Sequence, residues 1–566
     1  SNSSAASDVY KRQYIYIFPK MSTYSTFKNT FLFDVLEYLN IVKISELHNL
    51  NNSDTENSIT SDLSSNDETS DIDIEKNSLS KSIAKNEETT NDKEITRDPF
   101  LVDWNGPNDP ENPQNWSNVK KYSTMAQIML LTAVTYMGAS IYTPGEEGIR
   151  KDFKVGHVVA TLNLSLYVLG YGLGPIVLSP ITDIAKIGRQ RVYIMTLFFF
   201  MIFQIGIANV NNIGGMIVMR FITGVLCSPA LATGGATIVD VMPQEIVPVF
   251  LGFWSAGAIV APVIAPLLGA SMVVAKNWRW AFWLLTFMSA FTLIVLVLFF
   301  KETSAASILS RRARRIRKET GDDRYYSLQE KKDAESSFWS LIGTTLYSSV
   351  KIIIMEPIVL AFDIYCGLAY GSFYLFFESF PIVFTGIYHF TLIELGLAFM
   401  GFAVGGVIAF AIFLIFLVKV LLPKFKNGTF VPETYLLLLM GVCWFFPLAI
   451  FLFGWAAATH WIVPIIAEVF FVICCFNLFQ VTFSYLAFSY PNHTAAVFAG
   501  NGLFRAILAC SMPLFGQAMY NNLAIDGYPV GWGSTIVGFF TIFLCAVPFV
   551  LYRYGSSLRA KSRFVQ

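Results

Sequence analysis

Twelve apolar runs, each near twenty residues long, occur between about residues 122 and 552 of this 566-residue chain. An α-helix rises 1.5 Å per residue, so a run of about twenty crosses the roughly 30 Å hydrocarbon core of a bilayer. Within hydrocarbon every backbone N–H and C=O must be satisfied by the chain itself, which leaves helices and closed barrels. The runs are continuous rather than alternating, so barrel strands are excluded. They predict spans at about 122–142, 158–180, 191–210, 213–239, 246–271 and 279–300, then at 357–382, 392–421, 433–456, 460–489, 494–519 and 530–552. The order is six spans, a polar loop, and six spans. Composition agrees: 54% of residues are hydrophobic and 14% charged, against about 25% charged in soluble domains. The expected fold class is an all-α membrane protein, twelve transmembrane helices in two six-helix bundles.

The formal net charge is zero, 40 basic against 40 acidic residues, but the zero is a sum of unlike parts. Residues 1–100 hold 17 acids and 10 bases; residues 101–566 hold 23 acids and 30 bases. Residues 1–20 read as non-native flanking sequence, with Met21 as the natural start, and no signal peptide is expected near either start. Residues 21–117 read as a cytoplasmic, mostly disordered tail. Thr30–Val42 is long enough only for a short amphipathic helix, and residues 51–98, with 13 acids and 5 bases, lack the apolar surface to fold alone. The divisions that follow are a first bundle at 118–300, a central loop at 301–354, a second bundle at 355–553 and a tail at 554–566.

Lys and Arg set orientation. With the N-terminal tail inside, the inner loops and C-terminal tail hold 21 of them and the outer loops 5. Both termini are therefore expected in the cytoplasm, and the sequons at Asn115, Asn427 and Asn492 should be unglycosylated. The basic run Arg311–Lys318 reads as a helix on the inner membrane surface that attracts anionic lipid. All seven cysteines fall within spans and lack metal-site spacing, so they read as small packing residues and no metal is expected.

Two six-helix halves suggest a carrier whose central site faces each side in turn. No Walker A sequence and no TVGYG-like filter occurs, which disfavours ATP drive and a potassium channel. No nucleophile–base pair or metal cluster suggests an enzyme, and no basic surface suggests nucleic acid. No cofactor is expected.

Four groups of residues carry a family resemblance. Ser179-Pro-Ile-Thr-Asp183 with Gly188-Arg189 lies between spans 2 and 3; Arg220-Phe-Ile-Thr-Gly224, continuing to Asp240, lies on span 4. Gly252, Gly257, Ala261-Pro262, Ala265-Pro266 and Gly269 lie on span 5. The fourth group comprises Asn277–Trp283, Lys301-Glu302-Thr303, Arg311–Arg315, Tyr374–Glu378, Val497–Asn501, Arg505 and Pro513–Phe515. Together they resemble the major facilitator superfamily, and more narrowly the fungal twelve-span drug:proton antiporters, closest to the yeast fluconazole/benomyl multidrug resistance transporters. The resemblance covers about residues 99–560. It implies a major facilitator fold and a cytoplasmic latch in which Asp183 and arginines meet helix ends of the partner half. It also implies a motif on span 5 that marks antiport. Two extra residues separate Asp183 from Gly188, Ser179 stands where glycine is usual, and two common glycines of the span 5 motif are alanine.

Charges inside the bilayer are costly and usually functional. Arg220 is expected to polarise a nearby acid or water, the alternative being a side chain that snorkels to an interface. A proton carrier needs a carboxylate whose proton affinity swings with its surroundings. The candidates are Asp240, Glu378 and Glu468, with Asp363 and Glu394 further possibilities, and the choice among them stays open. Aromatics suit a site for flat apolar molecules: Tyr167 and Tyr171 on span 2, and Tyr365, Tyr370, Tyr374 and Phe377 on span 7. Asn477 and Gln480 on span 10, and Asn501 with Arg505 on span 11, are polar at membrane depth and either face the cavity or knit helices together. Conformational roles are expected of Asp183, Gly188, Arg189, Gly224, Gly252, Gly257, Pro262, Pro266 and Gly269. The expectation is a monomeric plasma-membrane exporter of amphipathic drugs, driven by protons and embedded in lipid. The alternative is a proton-coupled uptake carrier for a nutrient or metabolite.

Overall fold

In this computed structural model residues 28–39, 98–243, 246–335, 338–562 and 564 are described. The flanking segment 1–20 and the polar stretch 51–97 lie outside them. Among the described residues, twelve helices are long and apolar enough to cross a membrane. The first six spans are Asn118–Ser140, His157–Asp183, Gly188–Asn209, Ile213–Val241, Val247–Ala275 and Arg279–Phe299. Span 7 is Pro357–Phe380. Span 8 is broken, with pieces Leu392–Ala398 and Met400–Phe416 before a continuation to Lys426. Span 9 is Pro432–Ala456, span 10 Ile462–Ser489, span 11 Thr494–Asn522 and span 12 Gly531–Lys561. An even number of spans returns the chain to the side where it began. Segment 98–117 and the C-terminal end of span 12 therefore share one side, the tail side; the opposite is the far side.

Local chemistry explains several boundaries. The Asn212 side chain caps span 4 by accepting from Gly214 N. Thr391 and Glu394 form a reciprocal capping box at the start of span 8. Glu394, a candidate carboxylate, is thus an exposed helix cap and not a cavity acid. In span 5, Pro266 has no N–H to offer the carbonyl of Pro262 four residues back. The Ser140 hydroxyl at the end of span 1 donates to that carbonyl instead, at 2.5 Å. The proline pair thereby ties span 5 to span 1.

Close backbone approach packs the first bundle. A Cβ on Gly224 would lie 2.2 Å from the Tyr167 carbonyl oxygen, so spans 2 and 4 cross where only glycine fits. A Cβ on Gly269 would lie 2.2 Å from the Ile141 carbonyl. The two bundles meet along spans 2 and 11, where Gly172 faces Ala506, and along spans 5 and 8, where Gly252 faces Phe410 and Gly396 faces Leu267. The cysteines are free; six are buried and Cys510 is half-buried.

The central loop corrects two expectations. It contains a helix, Ala305–Thr320, built on the basic run. Its arginines are not laid out for lipid. Arg311, Arg312 and Arg315 are buried, while Arg314 and Lys318 are exposed. Arg311 pairs with Asp34 at 2.9 Å and Glu302 at 3.0 Å. Arg312 pairs with Asp109 at 2.9 Å and Glu111 at 2.8 Å, and Arg315 with Glu37 at 3.0 Å. The tail segments 28–39, with helix Phe31–Tyr38, and 98–117 are therefore folded against this helix rather than loose. A buried guanidinium is tolerable only when paired, and removing one partner costs about 3–5 kcal/mol.

Burial alone raises the carboxylate pKa values of Glu37, Asp109 and Glu111. The guanidiniums of Arg315 and Arg312, with Lys28 beside Glu111 and backbone N–H groups on Asp109, overcome burial and hold all three below the ordinary range. Carboxylates depressed in the folded state stabilise it above their unfolded value, about 4, and cease to do so as pH falls through the folded value. Protease cutting within 98–117 should therefore be slow and constant from pH 5 to 8, and rise only below about pH 4. Arg312→Ala should make the same segment cleavable at pH 7.

Candidate functional site

The polar groups of the twelve spans sort into three levels. On the tail side, Asp240 near the end of span 4 pairs with Arg189 at the start of span 3. Asp183, on the last turn of span 2, lies in the field of Arg189 and of Asp333. Asp333 also accepts from Ala185 N at 2.7 Å. The spans 2–3 loop is thus held by its own bundle and by the central loop. Latching to helix ends of the partner half, expected from the resemblance, is not among its described contacts. Gly188 has φ +75°, and a Cβ there would lie 2.3 Å from Glu302 Oε2. That space is occupied because Glu302 accepts from Arg189 N and Gln190 N, from Thr303 N and Ser304 N, and from Arg311.

At mid-membrane the two bundles join through tyrosine hydroxyls. Tyr136 of span 1 is hydrogen-bonded to Tyr370 of span 7. Tyr171 of span 2 donates to Tyr370 at 2.6 Å and lies 3.1 Å from Tyr374. The rings pack edge to face, with centroids 5.8 Å apart for Tyr136–Tyr171 and 5.3 Å for Tyr370–Tyr374. The Arg505 guanidinium lies over Tyr370, Phe479 and Phe483 at 5.2–5.5 Å. Asn501 donates to Asp363 at 2.7 Å beside it. Gln480 faces span 5: a Cβ on Gly252 would sit 3.4 Å from its Nε2, which has no hydrogen-bond partner among the described residues. Gly257 abuts Met129 of span 1. Among the aromatics proposed from sequence, Tyr171, Tyr370 and Tyr374 are brought together. Tyr365 is not: it stacks on Phe446 with its hydroxyl toward Cys474, inside the second bundle. Phe377 stacks on Phe399, and Asn477 donates to Ile473 O and Ala409 O, knitting span 10 to span 8.

Arg220 lies in the far-side third of span 4, twenty residues from Asp240 and so about 30 Å along the helix. Among the described residues its hydrogen bonds go to backbone carbonyls and not to an acid, and its full burial corrects the alternative of a side chain that snorkels to an interface. Fully buried, it donates to the carbonyls of Asn163 at 3.0 Å, Gly138 at 2.6 Å and Ala139 at 3.2 Å. Gly138 and Ala139 are in the last turn of span 1, whose carbonyls have no helical donor and carry the negative end of the helix dipole. The guanidinium also lies 4.5 Å from the centre of the Tyr167 ring. Tyr167 itself donates to Thr135 O at 2.5 Å. Arg220 therefore joins spans 1, 2 and 4.

Glu468 is the counterpart in the second bundle. It is buried on span 10, near the far side, and accepts from Phe402 N at 3.2 Å, in the first turn of the second piece of span 8. Its other oxygen has no hydrogen-bond partner among the described residues. Glu378, on the far end of span 7, lies 2.9 Å from Nε2 of His157, the first residue of span 2. The Nδ1 of the same ring lies at ion-pair distance, 2.6 Å, from Oε1 of Glu146, the first residue of the short helix Glu146–Phe153 after span 1. Sequence reading missed both His157 and Tyr136. Neither sits in a motif, and each acquires its partner from a residue more than 200 positions away. A titratable residue where a loop meets a span was the available signal for His157.

Such an arrangement has π faces and hydroxyls at the centre and charged contacts at both ends. Its fold is matched by a partially occluded, inward-open structure of the xylose transporter XylE from E. coli. The TM-score is 0.53 at 13% identity, covering 77% of this chain and 99% of that one. The chain is 56% identical over 543 residues to fluconazole resistance protein 1 of Saccharomyces cerevisiae, covering 96% of this chain and 99% of that protein. It is 55% identical over 562 residues to multidrug transporter FLR1 of Candida glabrata, covering 96% of this chain and all of that one. It is 43% identical to transporter mfs1 of Schizosaccharomyces pombe, over 82% of this chain and 88% of that one. The family model of the Major Facilitator Superfamily matches residues 128–513. With its twelve spans and its two joined bundles, the chain belongs to the Major Facilitator Superfamily.

Proposed function

We propose that this chain is a multidrug exporter of the plasma membrane that exchanges amphipathic drugs for protons by alternating access. The observation that carries the reading is its likeness, over nearly its whole length, to proteins named for fluconazole resistance and multidrug transport. The tyrosine cluster supports it. Tyr136, Tyr171, Tyr370 and Tyr374 offer ring faces and hydroxyls from both bundles, with Arg505 beside them. Stacking surfaces with few demanding polar contacts favour breadth over selectivity. When the bundles part, these groups line the space between them. In this reading the tail side is cytoplasmic and the far side external, which the excess of Lys and Arg in the tail-side loops supports, and the chain works as a monomer in lipid.

Protons enter through three carboxylates: Asp240 beside Arg189 at the inner end, Glu378 beside His157 at the outer end, and Glu468, which meets the Phe402 N–H. Purified chain in liposomes should accumulate labelled fluconazole when a pH gradient is imposed and lose it on adding a protonophore. Accumulation indifferent to the gradient would sink the proton exchange. Among Asp240→Asn, Glu378→Gln and Glu468→Gln, the carrier is the one whose loss abolishes gradient-driven accumulation while drug–drug exchange continues.

A further inference from the structure

We propose that His157 is the outer gate of this transporter, an imidazole clasped between a carboxylate from each bundle, closed by an external proton. Glu146 belongs to the first bundle and Glu378 to the second, and the ring touches both, at 2.6 and 2.9 Å. An imidazolium has two N–H donors and holds both acids at once; a neutral imidazole has one. On losing its proton to the external medium, His157 releases one carboxylate and leaves two anions facing each other across the seam between spans 2 and 7. The charge of histidine changes between pH 5 and 8 in ordinary surroundings, unlike that of any other side chain.

Among the described residues the cation beside Tyr142 on this side is Arg220, whose guanidinium lies 5.4 Å from the centre of the Tyr142 ring and donates to backbone carbonyls rather than to either acid. Thr161, one turn along span 2, lies 3.3 Å from Nε2 and donates its hydroxyl to His157 O. Tyr142, at the end of span 1, is the other titratable group facing Glu146 and Glu378. Span 11 presents Gly516 to the Glu378 side chain. The exchange cycle then has a stated order at the outer face. Drug leaves while His157 and Glu378 are apart. An external proton settles on the imidazole, and the imidazolium draws Glu378 back and shuts the far side. This deepens the exporter reading above and rests on alternating access.

The test reads distance rather than transport. Lys151 on the far side of the first bundle and Asp526 on the far side of the second are exposed, and the native cysteines are buried or half-buried. Spin labels on Lys151→Cys and Asp526→Cys in the full chain, reconstituted in liposomes, report the gap by pulsed electron resonance. The native background should favour the short distance at pH 5, with the short-to-long ratio falling about tenfold at pH 8, the scale of one charge-assisted hydrogen bond. His157→Gln should show the long distance at both pH values, and His157→Lys, an always-charged donor, the short one at both. Should His157→Gln fail to fold, Glu146→Gln keeps the Glu378 contact and should move the transition to lower pH. Native distances that do not change between pH 5 and 8, or a His157→Gln chain that responds like the native one, overturn the gate. Because neither drug nor gradient is needed, failure of the exporter reading leaves this measurement intact, and normal export with unchanged distances overturns the gate alone.

Discussion

Arg220→Ala should abolish export because the far end of the first bundle comes apart, not because a proton goes astray. The side chain is fully buried and serves three carbonyls on two other spans. Each buried polar group left unpaired costs about 1–3 kcal/mol, and the space vacated by the guanidinium and its stem adds a cavity. The sum is a large part of the roughly 5–15 kcal/mol that holds a domain together. We expect the melting temperature of the detergent-solubilised chain to fall by about 10 °C or more, with the protein reaching the membrane in reduced amount. Arg220→Lys should be intermediate: an ammonium keeps the charge at the end of span 1 but lacks the planar fork that reaches three acceptors. Asp240→Asn sits about 30 Å away and should leave the melting temperature nearly unchanged while altering proton dependence. A normal melting temperature in Arg220→Ala with export lost would return Arg220 to a coupling role.

Glu302→Ala should be comparably severe, at the opposite end of the same bundle. One carboxylate accepts four backbone N–H groups, from both the start of span 3 and the exit of span 6, and pairs with buried Arg311. Its loss leaves buried Arg311 with Asp34 as its remaining carboxylate among the described residues and uncaps the spans 2–3 loop, where Gly188 adopts φ +75° against the carboxylate. Each buried N–H group left without its acceptor costs about 1–3 kcal/mol. The tail segments should then loosen as well, since Arg311 also holds Asp34. Hydrogen exchange should rise in three places together: residues 184–190, the helix Ala305–Thr320 and the helix Phe31–Tyr38. Exchange confined to the first would show that Glu302 caps a loop and organises nothing more.

Arg220 and Glu468 share a logic that neither displays in sequence. They occupy corresponding places on spans 4 and 10, the fourth helix of each bundle, near the far side. Arg220 meets the carbonyl end of span 1; Glu468 meets the N–H end of the second piece of span 8. Each costly buried polar group is met by a helix terminus of complementary partial charge, with no counter-ion among the described residues.

The spans were legible because the bilayer imposes length and apolarity locally. Span 2, expected at 158–180, is His157–Asp183, and span 10, expected at 460–489, is Ile462–Ser489. Tyr171, Tyr370 and Tyr374 were legible as a class of surface. Tyr365 was not separable from them, because which face of span 7 meets the other bundle is set by helix rotation. Arg311, Arg312 and Arg315 looked like a lipid-facing run because local charge is visible and distant partners are not. The acids that bury them, Asp34, Glu37, Asp109 and Glu111, lie about 200 to 280 residues earlier.

What the sequence by itself determined is the number of spans, their two-by-six order and the family, all carried by short-range hydropathy and motif spacing. Only the tertiary structure decided which charges meet. It paired Arg220 with helix carbonyls, His157 with Glu146 and Glu378, and the basic helix with the acidic tail. A buried charge takes whatever opposite charge or dipole the packing brings within about 3 Å, and a sequence does not record that distance.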